Sequence, residues 1–459
     1  MSLSREKRRE IESFVSEWLH DADVPGASVA LVDGDEVVFA DGFGARDLET
    51  NEAATADTLY GFGSITKSFT ALAVMQLVED GTLSVDDPVN AYVPHLEEVP
   101  GDPITVEELL THTSGMPSDG SAVVLIGRHT DEATVAGGLG DGGDDFRRYV
   151  QDASDDRVTD DERFFYYNSG YTVLGEVVAA VDGRPYEQYV REEIFEPLGM
   201  DRSTFERDPF AADDDAMTPY CTEEDGHRAS DFPFDPGLYA PGGLVSSVTE
   251  MTRYLRAMMT DGSFDGGSVC DPESVEELQA PRTTRRRDLD GSKQQYGYGW
   301  MRKELAGDEL VGHGGSVSVS TAYLGFLKDA GLGVAVSCNT TANPHPSSLG
   351  AAVLAIAAGE DPTAVGTYAL REKAEAVSGR YESYRDVLAA EVEQAGGGLT
   401  LTLTYRLGEE ELPLLPESLD PDDHRYYTVL GSGARIPVEF DLSGEQADLF
   451  YQRWRLREA

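Results

Sequence analysis

Near the start of the chain Ile11, Phe14, Val15, Trp18 and Leu19 fall on one face at helical spacing, which predicts an amphipathic first helix with Ser4 at its N-cap. The period then shortens to two. Ala27–Val32 and Glu36–Ala40 flank the hairpin signal Asp33-Gly34-Asp35, and Ala322–Leu327 and Leu332–Cys338 flank Lys328-Asp329-Ala330-Gly331 in the same way. With the strand-like run Val317–Phe326 after His313, these segments predict a five-stranded antiparallel sheet drawn from both ends of one domain. The first helix and the Ala-rich helix Ser348–Ala358 cover it, and the middle of the chain forms a mostly helical half. Beyond Gly359-Glu360-Asp361-Pro362 the pattern changes to short alternating runs: Val387–Val392, Leu399–Leu407, Tyr426–Leu430, Ile436–Phe440 and Leu449–Leu456. A separate small all-β barrel is expected there. The domains are read as 1–360, a linker 361–374, and the barrel 375–459.

One segment departs from the charged habit of the chain. Asp, Glu, Lys and Arg make up 26% of residues, a rate that predicts about five charges between Thr58 and Val78. That stretch carries only Lys67. Phe69, Leu72, Met75 and Val78 run near helical spacing up to Gly81, so the segment reads as a buried helix, with Gly61-Phe62-Gly63 as the turn that presents Ser64. Ser64 and Lys67 are three residues apart and share a face. An amine set among apolar residues, with no carboxylate near it in sequence, loses hydration, and its pKa falls. Such an amine can activate a serine without histidine. Ser-x-x-Lys alone is a weak signal, since Ser4-Arg5-Glu6-Lys7 repeats it on the solvated first helix.

Two further groups raise its specificity. Tyr166-Tyr167-Asn168 follows Phe164-Phe165 and precedes a helix with Tyr171, Leu174, Val178 and Val181 at helical spacing. His313-Gly314-Gly315-Ser316 opens the strand-like run, and its paired glycines admit a second backbone or a ligand. Alone, the first reads equally well as an aromatic core patch and the second as a turn histidine. Each pattern occurs once, and a Ser-x-x-Lys, a Tyr-x-Asn and a His-x-Gly in this order are far more specific together.

With these three motifs the sequence resembles the serine β-lactamase and penicillin-binding protein superfamily, in particular the branch holding class C β-lactamases, their esterase relatives and D-amino-acid peptidases. Leu109-Leu110-Thr111-His112-Thr113-Ser114-Gly115-Met116-Pro117, Glu196-Pro197-Leu198-Gly199-Met200, Pro241-Gly242-Gly243-Leu244 and Tyr296-Gly297-Tyr298-Gly299-Trp300 are similar to it as well, so the resemblance covers roughly residues 8 to 358. It implies an α/β (α+β) fold of the β-lactamase/transpeptidase type, with the site between sheet and helical half and Ser64 at its base. The C-terminal unit resembles, in pattern, the lipocalin-like domain that accompanies some peptidases of this superfamily. The chain departs from the penicillin-active pattern at His313, where those members carry Lys.

The resemblance implies acyl transfer on a small-molecule ester, amide or peptide. Ser64 is expected as nucleophile, Lys67 and Tyr166 as proton carriers, and Asn168 as a hydrogen-bonding partner of substrate and Lys67. The N–H groups of Ser64 and of Ser316, just past Gly315, are expected to form an oxyanion hole, with His313 lining the cleft and positioning Tyr166 or the substrate. A genuine β-lactamase or D-Ala carboxypeptidase is the alternative, and a non-catalytic penicillin-binding-like sensor the second. No cofactor is expected. No Gly-x-Ser-x-Gly elbow and no His-x-x-x-His pair occurs.

Composition narrows the partners. The 36 Lys and Arg against 85 Asp and Glu give a net charge of −49, which argues against nucleic acid and anionic membranes. The excess is spread along the chain, and lysine is scarce beside arginine; this reads as adaptation to high salt, where screening removes self-repulsion. Cys221, Cys270 and Cys338 lack the spacing of a zinc site or a disulfide framework. Met1–Glu10 is charged and without an apolar core, and no long apolar run follows, so a cytoplasmic protein is expected, with the C-terminal domain a candidate for building a homo-oligomer. Ser118–Glu162, acidic and rich in glycine at 137–143, is expected to be mobile beside the cleft.

Overall fold

The computed structural model of the protein describes residues 3–118, 120–130, 143–159, 163–289, 291–395, 398–406 and 408–459. The glycines at 137, 138, 140 and 142, on which the expected overhang of the cleft rests, lie outside them. The chain divides into two compact units, Met1–Arg287 with Lys293–Gly359, and Glu360–Ala459 with Asp288–Ser292.

The first unit is organised on an antiparallel sheet whose strands run, in spatial order, Thr283–Arg287, Lys293–Tyr296, Met301–Leu305, Asp308–Ser316, Thr321–Leu327, Leu332–Cys338, Gly26–Asp33, Glu36–Asp47 and Glu52–Ala53. The expected strands form its centre, where both ends of the domain meet with Ala27 opposite Cys338 and Asp33 opposite Leu332. The sheet has nine strands because four more extend its two sides. Three of these, Thr283–Arg287, Met301–Leu305 and Glu52–Ala53, are largely solvent-facing, so their sequences lack the apolar alternation that marks a strand. His313 corrects another expectation: it lies within the strand Asp308–Ser316, and Ser318 at φ +63° turns the chain before the next strand begins at Thr321.

Helices cover both faces. A methyl group on Gly350 would meet the Tyr323 ring at 2.3 Å, which shows how closely the helix Pro346–Ala358 lies on the sheet; a methyl on Gly333, on the other face, would meet Leu255 of the helix Val248–Met259 at 2.7 Å. The first helix, Arg5–Asp21, is tied down where Lys7 donates to the Ala357 carbonyl at 2.6 Å and the Trp18 indole to the Pro344 carbonyl at 3.1 Å. In the helical half, Thr66–Glu79 is buried over nearly its whole circumference, with Phe69 stacked on Tyr254 at 3.8 Å between centroids.

The second unit opens with a helix, Gly366–Val377, so most of the expected linker 361–374 is folded. Eight strands follow, Gly379–Ser383, Leu388–Ala395, Gly398–Tyr405, Gly408–Pro416, Arg425–Val429, Arg435–Asp441, Asp448–Tyr451 and Trp454–Glu458, and the first pairs with the last to close a barrel. The run Leu449–Leu456 is thus a hairpin of two strands, turned at Gln452 with φ +51°. Tyr381, Leu401, Leu403, Val438, Leu449 and Leu456 fill the interior, while every second residue of Gly398–Tyr405 faces outward.

Candidate active site

Between Thr58 and Met75 every residue is buried except Ser64. It sits in a single 3₁₀ turn, Gly63–Ile65, that runs into the helix Thr66–Glu79; Gly63 takes φ +50°, a conformation that favours glycine. The Thr66 hydroxyl locks this entry by donating to the Gly63 carbonyl at 2.6 Å and accepting the Leu244 N–H at 3.1 Å. The stretch Pro241–Leu244, quoted above for its resemblance, is therefore the floor beneath the serine.

Lys67 is fully buried, and its Nζ has three neighbours: Ser64 Oγ at 3.1 Å, Asn168 Oδ1 at 2.8 Å and the Pro241 carbonyl at 2.7 Å. Burial holds its pKa well below the ordinary lysine value. All three neighbours can accept from the amine, and of the three only the Ser64 hydroxyl can also donate to it. The rings of Tyr166 and Tyr171 stand 4.9 and 5.4 Å from Nζ.

Tyr166 lies on the loop entering the helix Asn168–Asp182 and shares a hydrogen bond with Ser64. Burial raises its hydroxyl to about 12, so it is a neutral phenol at neutral pH. Sequence reading missed the residue that holds this loop. His112, at φ +60°, accepts the Phe165 N–H on its carbonyl at 2.9 Å and the Tyr167 N–H on Nδ1 at 3.1 Å, one bond on each side of Tyr166. Its ring lies 4.4 Å from that of Tyr166, and its pKa is depressed by burial first and by the charge of Lys67 second. Only its place in a family-like stretch, Leu109–Pro117, could have pointed to it.

His313 packs among the rings of Tyr166 and Tyr296. Buried, it contacts Tyr296 through Nε2 at 3.1 Å and its own following carbonyl, Gly314 O, through Nδ1 at 2.6 Å, and its ring centre lies 6.3 Å from that of Tyr166. Because the carbonyl must accept, Nδ1 carries the proton and Nε2 accepts from Tyr296. Burial lowers its pKa to about 3, so it is uncharged. Gly315 and Ser316 do reach the serine: a methyl on Gly315 would meet the Phe62 carbonyl oxygen at 1.9 Å and Ser64 N at 3.1 Å, and one on Gly63 would meet Ser316 N at 2.4 Å.

A cation acts on the tyrosines. Arg285, on the outermost strand, bonds Gln294 Oε1 at 3.2 Å and touches Met301 Sδ at 3.0 Å, and its charge acts on Tyr166, Tyr296, His112 and His313. Sequence reading missed Arg285, which is remote from all three motifs in the chain. Among the described residues no group of three or more His, Cys, Asp or Glu side chains converges as a metal site would require, and no helix is long and apolar enough to cross a membrane.

Comparison with known proteins places this geometry. The octameric penicillin-binding protein homologue from Pyrococcus abyssi is 34% identical, with a TM-score of 0.88 over 98% of this chain and 99% of that one. A D-amino acid amidase from Ochrobactrum anthropi SV3 shares the fold at 24% identity and a TM-score of 0.60, over 73% of this chain and 92% of its own. Protein flp of Staphylococcus aureus (strain MW2) is 29% identical over 218 residues, which are 47% of this chain and 42% of that protein. Residues 362–457 match the family described as Pab87 octamerisation domain. Residues 11–358 match the family described as Beta-lactamase, and the chain belongs to that family.

Proposed function

We propose that the protein is a serine hydrolase that works through an acyl-enzyme on small esters, amides or peptides. The observation that carries this reading is the Lys67 amine, buried, without a carboxylate among its described partners and 3.1 Å from Ser64 Oγ. Ser64 Oγ attacks the carbonyl carbon as its proton passes to Lys67 Nζ; the tetrahedral oxyanion rests against the N–H groups of Ser64 and Ser316; the leaving group departs with a proton delivered through Tyr166. The neutral phenol of Tyr166 suits a donor better than a base. Water then repeats the sequence on the acyl-enzyme. Sustained turnover of p-nitrophenyl acetate, abolished in Ser64→Ala and retained in Ser4→Ala, is the expected result. A single stoichiometric burst would instead identify a sensor.

Arg285 favours a second reading of the substrate. A guanidinium whose charge reaches Tyr166 and Tyr296 offers a carboxylate anchor that His313 cannot, and suits a β-lactam or a peptide ending in D-alanine. On nitrocefin or an N-acyl-D-Ala-D-Ala peptide, Arg285→Gln would lower kcat/KM by about 10–10², the worth of one charged hydrogen bond, and would leave p-nitrophenyl acetate unchanged. Equal effects on all three would return the preference to uncharged esters and amides, among which D-amino acid amides belong in the panel because a fold neighbour is named for them. The C-terminal barrel, matched to an octamerisation family, is proposed to assemble copies of this chain, which light scattering of the whole chain and of residues 1–359 would compare. The acidic composition and three free, buried cysteines suit a reducing, salt-rich cytoplasm.

A further inference from the structure

His345 precedes the helix Pro346–Ala358 and caps it: its Nδ1 stands 3.0 Å from the Ser347 N–H, a group that can only donate. The ring proton must therefore sit on Nε2. Nε2 in turn stands 3.2 Å from the carbonyl oxygen of Gly315, which can only accept. Both nitrogens are assigned by their partners, and the imidazole bridges a helix end to the strand that carries Ser316.

That carbonyl belongs to the same peptide unit as the Ser316 N–H. In a trans peptide the two groups point in opposite directions, so a donor that grips the carbonyl aims the N–H the other way. The other way here is the Phe62–Ser64 turn, against which Gly63 and Ser316 N are pressed so closely that a methyl on Gly63 would lie 2.4 Å from that nitrogen. Hydrogen bonding at the carbonyl also polarises the N–H. The glycine at 314 makes room for the imidazole, since a methyl there would meet His345 Cε1 at 2.9 Å, and the Trp18 indole fixes the preceding residue through the Pro344 carbonyl at 3.1 Å.

We infer that His345 is a positioning residue for the oxyanion hole, holding and polarising the Gly315–Ser316 peptide through its Nε2–H. This rests on the acyl-transfer reading above. A strengthened N–H matters where negative charge develops, so its loss lowers kcat and kcat/KM together and leaves KM nearly unchanged.

Two variants separate the clamp from the cap. His345→Asn keeps a good helix cap but is too short to reach Gly315; His345→Gln places an amide N–H near the position of Nε2 but caps poorly. Turnover of p-nitrophenyl acetate and the melting temperature are measured for both. The expected result is a kcat about 10-fold down in the Asn variant, less than the ~10²–10³ that loss of a whole oxyanion donor costs, with melting unchanged. The Gln variant should melt lower yet recover most of kcat. An Asn variant within twofold of the parent kcat, or a kcat that follows melting temperature across the pair, overturns the clamp. Labelling of Ser64 by an alkyl fluorophosphonate keeps the two readings apart: a parent enzyme that labels and turns over while the Asn variant is unaffected refutes the clamp alone, whereas a parent that does neither removes the acyl-transfer reading and the clamp with it.

Discussion

Two lysines of this chain are buried to the same degree and serve opposite ends. Lys67 in the first unit and Lys373 in the second are 0% and 1% exposed, each lies over a tyrosine ring, and burial lowers the pKa of both. They differ in what else faces the amine. Around Lys373 the carbonyls of Asp420 and Asp423 accept its N–H groups, and the carboxylates of the same residues pull its pKa back up. Around Lys67 no such counter-charge acts among the described residues, and one neighbour is a serine hydroxyl. Burial alone therefore makes neither a base nor a cation. The second neighbour decides: carboxylates draw the pKa back up and make a clasp, whereas burial without them makes the amine easier to deprotonate.

Replacement of each lysine by methionine breaks the comparison most sharply. Lys67→Met should cut kcat for p-nitrophenyl acetate by about 10³–10⁴, with Tyr166→Phe adding little to it because the two act as one unit. Its melting temperature should change little, since removing a buried amine offsets the two carbonyls left without a donor. Lys373→Met should do the reverse. It leaves the Asp420 and Asp423 carbonyls unpaired, so calorimetry should show the second unit losing about 2–3 kcal/mol while the initial rate per Ser64 stays the same. A Lys373 variant that loses activity at once would mean that the barrel shapes the site.

The contrast also marks how far the sequence could be read. Ser64, Lys67, Tyr166 and Asn168 were legible because a helix with a single charge and a Tyr-x-Asn before another helix are local patterns, and the structure brings the other three within reach of the Lys67 amine. The central strands were legible because both of their faces are buried. What stayed hidden depends on distant pairings. His112 matters through bonds to Phe165 and Tyr167, Arg285 through an edge strand that reads as polar surface, and His313 through Tyr296, a partner that no spacing announces.

His112 gives a smaller test of the same contrast, because it holds the tyrosine that shares the serine with Lys67. Removal of its Nδ1 acceptor in His112→Ala should loosen Tyr166 and lower kcat about 10-fold, within the ~10²–10⁴ range of a whole acid–base group. Asparagine can offer an oxygen near the Nδ1 position and tolerates the left-handed backbone, so His112→Asn should stay within about threefold of the parent. Equal loss in both variants would assign the residue to packing alone.

Acid should separate His313 from both lysines. Its pKa is near 3 in the folded chain against 6.5 for an ordinary histidine, so the unfolded chain binds the extra proton first as pH falls. The stability held by the neutral ring is complete above pH 6.5 and is lost as pH falls from there toward 3. His313→Gln should flatten that part of the urea-midpoint curve relative to the parent, most clearly between about pH 6.5 and 5, before the carboxylates titrate. A parallel pair of curves would show that the ring titrates freely in the folded protein.

Salt is the mildest of these probes and separates the two lysines by mechanism. With a net charge of −49, raising KCl from about 0.1 to 1 M shortens the screening length from ~10 to ~3 Å, and the melting temperature should climb as self-repulsion between surface carboxylates fades. In the proposed mechanism Lys67 acts as the unprotonated amine, so kcat/KM is expected to rise with pH as the amine loses its proton. That limb is set by dehydration, which salt does not relieve, and should move down by only about a few tenths of a unit as the distant acidic field is screened. Nearby carboxylates hold up the pKa of Lys373, so that pKa, followed by NMR of ¹⁵N-labelled lysine, should fall further over the same range. An activity limb that moves by a whole unit would mean that an undetected carboxylate serves Lys67 as Asp420 and Asp423 serve Lys373, and the distinction between base and clasp would collapse.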